Sequence, residues 1–312
     1  SMIESLLAVP FYFLHIPLKV ALPVSTLIFT TLPFLYLGIK SLENNRMVAA
    51  YIILFVYAAM SYGWDVLTSI PRAFVGGFIF GVIGGVLINE EGKWYKYLIA
   101  SYCIYIGYII TNTVAAIAGM SYLAMVLYNK IDKDFIKKRF PGLIAGNVLG
   151  FITGYFIKMF YVNNPDYNLH PAYNAAVSLE VLRENIADFN EIAGWFTPVT
   201  IGAVWIIVML VIVWICIYRG AFKSLIMTAF AFFGFIAILS LDKMEDYMPG
   251  TLLYGQLRML LFVPYMIALV VFLCSYYDES VWNRKKTYAG CMVMTLCFLV
   301  VMVIKSNIII KE

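Results

Sequence analysis

Charged residues are scarce in this chain: Asp, Glu, Lys and Arg make up 13% of its 312 residues, against about 25% in an average soluble domain. It has 2 histidines, and its 5 cysteines lie inside apolar segments with no pair at metal-ligand spacing. Walker, dinucleotide-binding, HExxH and GxSxG motifs are absent. No polar region is long enough for a soluble nucleotide-binding domain, so activated groups have to come from lipid-soluble donors, or energy from gradients.

Apolar residues are correspondingly abundant. They make up 63% of the chain, the mean hydropathy is +0.87, and apolar runs of about 20 residues, enough to cross a bilayer, recur along it. We predict an all-α, polytopic helical membrane protein of about ten transmembrane helices. The predicted spans are 19–39, 47–66, 72–88, 95–111, 113–128, 141–160, 196–218, 222–241, 256–277 and 288–307.

The distribution of basic residues predicts an orientation. Alternate loops hold 14 of the 22 Lys and Arg residues, while the other side carries 8 of them and 11 of the 18 acids. Cytoplasmic loops are enriched in Lys and Arg, so the first set of loops is predicted to be cytoplasmic and both termini external. The predicted organisation is an external re-entrant or interfacial segment (1–18), a membrane bundle (19–160), an external loop (161–195) and a second bundle (196–312). Because an external N terminus usually follows an earlier span, we expect a missing N-terminal segment or a partner subunit. The alternative is that residues 7–17 insert together with the first span as a hairpin.

Short external loops carry the strongest candidates for chemistry. Asp65 and Arg72 flank a brief exit between two spans, and Arg258 stands at the head of the run LRMLLFVPY. Charges at membrane depth need partners or a water-filled cavity. Either arginine can anchor a helix end or bind phosphate, since guanidinium presents a rigid fork to oxyanions. Glu4 precedes the short apolar piece 7–17.

The long polar interval 161–191 is predicted to act as a lid. Its first half is rich in turn formers and contains Asp166, His170 and Tyr173, which we assign to acceptor binding or to the lid. His170 is a candidate general base, although a lone histidine is a weak metal signal. Its second half spaces Leu179, Leu182, Ile186 and Phe189 as in an amphipathic surface helix.

Glycine ladders predict close helix packing. Gly77, Gly81 and Gly85 recur every fourth residue in one span, and Gly142, Gly146, Gly150 and Gly154 do so in another. Small residues at this spacing let two helix backbones approach closely. A groove for a lipid tail is the alternative.

Three stretches resemble the GT-C superfamily of polytopic glycosyltransferases. Residues 3–42, with their LLAVP run, look like the stretch that follows the first external loop in this superfamily. LRMLLFVPY is similar to the R-x-L-L-P-x-Y run near the last spans of such enzymes, and PDYN and PAYN resemble the P-x-x-x-YN of their central loop. The catalytic acid of such enzymes lies at the exit of the first span, in the first external loop. The sequence shows no match to that position, and Glu4 corresponds to a second acidic position in the same loop.

The resemblance implies sugar transfer from a polyprenyl-phosphate donor to a glycan, lipid or protein, outside the bacterial cytoplasmic membrane. Glu4 or Asp65 would then be the catalytic carboxylate, with Arg72 and Arg258 as ligands of the lipid phosphate. The expected partners are membrane lipid and the lipid-linked sugar, with no nucleic acid. No cofactor is firmly implied, and a divalent metal stays open. The alternatives are a transporter or flippase, a lipid-linked glycan polymerase or ligase that uses His170 and Arg183, and a scaffold subunit.

Overall fold

A computed structural model describes residues 9–59, 74–163, 176–180, 182–183, 201–242 and 262–278, with residues 289, 292, 293, 296 and 300. The described chain is almost entirely helical. Its helices are α1 (Leu18–Glu43), α2 (Met47–Ala59), α3 (Phe74–Asn89), α4 (Trp94–Ile110), α5 (Val114–Tyr128), α6 (Lys133–Asn163), α7 (Ile201–Arg219), α8 (Phe222–Leu239) and α9 (Phe262–Tyr277). Two short strands, β1 (Ala176–Val177) and β2 (Leu241–Asp242), form an antiparallel pair.

The internal contacts divide the chain into two units. The first contains Ser1–Pro33 and Arg72–Ala175, and the second contains Phe34–Pro71 and Ala176–Glu312. The division falls inside α1, whose first half belongs to the first unit and whose second half belongs to the second.

The first unit is built from α3, α4, α5 and α6. Helix α4 packs against both α3 and α6 along its length, and α3 also packs against α5. Its core cluster draws on all four helices and consists of Ile88, Tyr97, Ala100, Ile104, Met125, Phe135 and Leu143. The turns 90–93 and 129–132 therefore lie at one end of the unit, and the turn 111–113 lies at the other.

The glycine ladders bring these helices into backbone contact. A Cβ atom added at Gly107 would come within 2.7 Å of the carbonyl oxygen of Gly77, and one at Gly150 within 2.6 Å of the Tyr105 ring. At Gly146 an added Cβ would collide with the carbonyl oxygen of Leu98. The predicted close approach is confirmed for α3 against α4 and for α6 against α4, because glycine alone leaves room for the neighbouring backbone.

The second unit surrounds α9. Every residue from 263 to 275 is buried, as expected of a helix that is apolar on all sides. Phe34 packs on Tyr57 and on Tyr265, with ring centroids 5.3 Å and 4.9 Å apart. Since Tyr57 is near the end of α2 and Tyr265 near the start of α9, these two helices are antiparallel. Helix α8 packs against both α7 and α9.

Three helical segments end in the same hydrogen-bonded cap, with a left-handed residue just past the helix. The residues with positive φ are His15 (56°), Asn45 (58°) and Gly220 (65°). After α7, Gly220 donates to the Ile217 carbonyl and Ala221 to the Cys216 carbonyl, which is the Schellman pattern. The same pair of backbone hydrogen bonds forms at His15 and at Asn45. His15 is therefore the left-handed residue that ends the first described helical segment.

Helix α6 starts earlier than predicted. Its span was predicted over 141–160, whereas the helix covers Lys133–Asn163 with Pro141 inside it. The extra turns form because Phe135 and Arg139 face the core one turn apart. By length and composition, Lys133–Phe160 is the one helix in the described part that is long and apolar enough to cross a membrane.

Shorter apolar helices accompany it at Met47–Tyr57, Gly76–Asn89, Val114–Tyr128, Met209–Arg219, Phe222–Ala237 and Val263–Tyr277. The strand β1 lies inside the predicted external loop and pairs with the residues that follow α8. Of the predicted amphipathic helix in that loop, residues 179–180 and 182–183 are described and helical, with Leu179 exposed.

Candidate functional site

All seven residues selected from the sequence lie outside the described residues. They are Glu4, Asp65, Asp166, His170, Tyr173, Arg72 and Arg258. Within the described ranges, no group of three or more His, Cys, Asp or Glu side chains is placed to hold a metal ion.

Arg139 is the centre of the best-defined polar site, which lies at the charged end of the first unit. Its side chain is 5% exposed. Nη1 donates to the carbonyl oxygen of Ile88 at 3.0 Å, and Nη2 donates to Oδ1 of Asn129 at 3.3 Å. The guanidinium carbon lies 4.6 Å from the centre of the Phe135 ring and 5.1 Å from that of Tyr97.

This arrangement places a buried cation at two helix C-termini. Ile88 is in the last turn of α3, where carbonyl groups lack intrahelical partners, and Asn129 directly follows α5. Helix C-termini carry partial negative charge, and aromatic faces attract cations. Together these groups stabilise the charge of Arg139, and none of its partners in the described part of the chain is a carboxylate.

Asn89 extends this polar network between helices. Its Nδ2 donates to the carbonyl oxygens of Gly85 at 2.8 Å and of Ser121 at 3.0 Å, which ties α3 to α5. Nearby, Lys96 forms an ion pair of 2.7 Å with Glu90. The network joins the ends of three helices. Most of its acceptors are backbone carbonyl oxygens, so its role is to hold these helix ends together.

A second polar cluster lies in the second unit. The hydroxyl of Ser224, near the start of α8, donates to Oδ2 of Asp278 at 2.5 Å. Cys274 in α9 approaches the carbonyl oxygen of Ser224 at 4.0 Å, and the Thr228 hydroxyl donates to the same carbonyl oxygen at 2.9 Å. A hydroxyl beside a carboxylate can bind a cation or pass a proton. Acyl transfer of the Ser-His-Asp type would also need an oriented imidazole beside the hydroxyl.

Arg139, Asn89, Ser224 and Asp278 were not selected from the sequence. Arg139 was counted with the basic residues of its loop, although its spacing to Phe135 and Leu143 (4 residues each way) was a readable signal for a core-facing position. No comparable signal marked Ser224 and Asp278, because their pairing joins positions 54 residues apart.

No family model, curated protein or solved structure matches the chain.

Proposed function

We propose that the chain is a polytopic integral membrane protein that transfers a sugar from a polyprenyl-phosphate donor, as enzymes of the GT-C type do. The membrane part of the proposal is supported by the helix Lys133–Phe160, which is long and apolar enough to cross a membrane, and by the distribution of charge. The transfer part is supported by the resemblance of the LLAVP, LRMLLFVPY and PAYN stretches to GT-C enzymes. This resemblance implies that Glu4 or Asp65 is the catalytic carboxylate and that Arg72 and Arg258 bind the phosphate.

One observation carries the membrane assignment: within residues 74–163, charge is concentrated at the ends of the helices. Twelve charged residues occur between positions 74 and 163, and eleven of these lie at 90–96 or 130–139. Both of these stretches are at the same end of the unit. The helix interiors between the ends contain no charge except Lys158, which is near the end of α6.

This pattern is what a bilayer requires. Charged groups are costly in hydrocarbon, while basic residues are enriched on the cytoplasmic side. The charged end holds seven Lys and Arg residues against four acids, so we assign it to the cytoplasm. In addition, α6 presents exposed apolar residues over several turns, among them Ile144, Val148, Phe151 and Phe156, a surface that acyl chains would cover.

In the proposed reaction a carboxylate accepts the proton of the acceptor hydroxyl, and arginines neutralise the departing lipid phosphate. Glu4 and Asp65 are the candidates for the carboxylate, and Arg72 and Arg258 for the phosphate ligands. The resemblance implies an extracytoplasmic site, and the charge distribution along the sequence predicts the same side of the membrane for these four residues.

Binding of polyprenyl monophosphate tests the proposal independently of the sugar. The purified full chain in detergent is titrated with undecaprenyl monophosphate, and its Kd is compared with those of Arg72→Ala and Arg258→Ala. Loss of a charge-assisted contact to phosphate is expected to weaken binding roughly tenfold or more in each variant. Arg219→Ala is the matched control, since Arg219 lies on a predicted cytoplasmic turn and stacks on Tyr218.

The proposal is overturned by a wild-type chain that does not bind the lipid, or by equal affinities in all variants. With donor and acceptor supplied, Glu4→Gln or Asp65→Asn should then lower kcat by about 100-fold or more while the Kd for the lipid stays unchanged. Retention of full activity in both variants would remove the carboxylate assignment.

A further inference from the structure

The first two turns of α6 form an amphipathic segment ahead of its apolar length. Phe135 and Arg139 face the core, while Lys137 and Lys138 are exposed beside them. Helix α6 meets α4 from Gly142 onwards, where an added Cβ would collide with the carbonyl oxygen of Trp94. Residues 133–141 therefore extend past the start of α4.

The exposed cations of this segment lack acidic partners in the described chain. Lys130, Lys133, Lys137 and Lys138 form no ion pair with any described residue, in contrast to Lys96 with Glu90. Asp132 accepts a hydrogen bond from the backbone N–H of Phe135 at 2.8 Å and so caps the helix. Four lysines within nine residues thus leave a concentrated positive charge on this surface.

Apolar and aromatic side chains are interleaved with these lysines. Ile136 and Phe140 are each 43% exposed, and Trp94 is 53% exposed. Gly142 lies against the backbone of Trp94, so Trp94 is within one helical turn of Phe140 along α6. Beyond this level the exposed face of α6 continues as Ile144, Val148 and Phe151. Positive charge therefore stands directly above an apolar stripe, with an aromatic ring at the boundary.

Anionic phospholipid has the matching chemistry. Its phosphate pairs with lysine, aromatic rings favour the headgroup level, and its acyl chains cover apolar side chains. An acidic protein or a nucleic acid would match the lysines but leave Ile136, Phe140 and the stripe beyond them uncovered. The juxtaposition favours lipid as the occupant.

We propose that Lys130, Lys133, Lys137 and Lys138, with Ile136, Phe140 and Trp94, bind the headgroup of an anionic phospholipid whose acyl chains lie along the exposed face of α6. We call this surface the lysine collar. The inference rests on the membrane part of the proposed function and is independent of sugar transfer.

Titration with phosphatidylglycerol tests the lysine collar. The purified full chain in neutral detergent is titrated with dioleoyl phosphatidylglycerol or dioleoyl phosphatidylcholine, and bound lipids are counted by native mass spectrometry. Wild type should prefer phosphatidylglycerol. Each lysine at an anionic surface accounts for roughly fivefold in affinity, so Lys137→Gln/Lys138→Gln should weaken phosphatidylglycerol binding about 25-fold.

The matched control removes two charges elsewhere. Lys158 and Arg183 are exposed and lie outside the lysine collar, so Lys158→Gln/Arg183→Gln should keep the wild-type affinity. An equal loss in both double variants would show a response to net charge and overturn the proposal. So would equal binding of the two lipids by wild type.

Glycerol phosphate separates the headgroup from the whole lipid. It should compete weakly, because it has no acyl chains to contact Ile136, Phe140 and the exposed apolar residues of α6. Competition as strong as that of the intact lipid would overturn the assignment of the acyl chains. Undecaprenyl monophosphate binding by Lys137→Gln/Lys138→Gln should stay at the wild-type level, which keeps failure of this inference distinct from failure of the proposed function.

Discussion

Two adjacent cations in α6 have opposite surroundings. Arg139 is buried against Ile88, Asn129 and two aromatic rings, whereas Lys138 is exposed. A rotation of about 100° per residue separates their directions. Position on the helix, and not charge or sequence neighbourhood, determines which of them stabilises the fold.

Replacing Arg139 should therefore destabilise the protein far more than replacing Lys138. Arg139→Met keeps much of the side-chain volume but leaves the Ile88 carbonyl without this donor, and we expect a loss of about 2–4 kcal/mol in the free energy of unfolding. Lys138→Met, the matched control, should change it by less than about 0.5 kcal/mol. Urea or thermal unfolding in detergent measures both, and similar losses would contradict the capping role.

Sequence reasoning could identify the basic loop, but it could not show that one of its residues, Arg139, points into the core. A charge count treats Lys137, Lys138 and Arg139 alike, since it uses residue type and loop. The burial of Arg139 depends on the ends of α3 and α5 being brought to it from positions 88 and 129. That proximity comes from tertiary packing, which a local pattern does not contain.

Helices, by contrast, were largely predictable as elements. The predicted spans 72–88, 95–111 and 113–128 correspond to α3 at Phe74–Asn89, α4 at Trp94–Ile110 and α5 at Val114–Tyr128. Long apolar runs bounded by charged or turn-forming residues carry this information locally. The early start of α6 was missed because its first turns are amphipathic and contain Pro141.

The glycine ladder of α6 gives a graded prediction at the scale of two packed helices. A Cβ at Gly146 would meet the Leu98 carbonyl, which is backbone of α4, while at Gly154 the nearest atom is the flexible Cδ1 of Ile109 at 3.1 Å. Gly146→Ala should push the helices apart and cost about 1–3 kcal/mol. Gly154→Ala should be nearly neutral, because the Ile109 side chain can move.

Thermal unfolding of the two alanine variants in the same detergent checks this difference. Alanine has a higher helix propensity than glycine, so a stabilised Gly154→Ala variant is compatible with the prediction. Equal stabilisation of both variants would mean that α6 and α4 are not in backbone contact at Gly146.

At the scale of the molecule, the distribution of contacts was not readable from the sequence. Residues 34–71 belong with 176–312, and the boundary divides α1 between Pro33 and Phe34. Apolar helices with similar composition give no signal for which of them pair. Contacts such as Phe34 with Tyr265 join residues far apart in the chain. The seven selected site residues lie outside the described residues, so their roles remain predictions from sequence.

The two ends of α6 provide a test of the whole arrangement. Positions 137 and 158 are exposed and are separated by 21 residues of one helix, about 30 Å, which matches the hydrocarbon thickness of a bilayer. In a background with the five native cysteines replaced by alanine, Lys137→Cys and Lys158→Cys are treated in intact cells with a membrane-impermeant maleimide. Cysteine at 158 should react in intact cells, and cysteine at 137 should react after the cells are opened.

The reasons lie in the charge distribution along α6. Its first turns contain four of the basic residues that favour the cytoplasm, and Lys158 is the single cation near its other end. A membrane-permeant maleimide that labels both variants in intact cells shows that both thiols are reactive. Labelling of position 137 but not 158 in intact cells would invert the orientation and move the proposed transfer chemistry to the cytoplasm. Equal accessibility of both positions before lysis would show that α6 does not cross the membrane. The proposed lipid binding by the lysine collar would then be overturned as well.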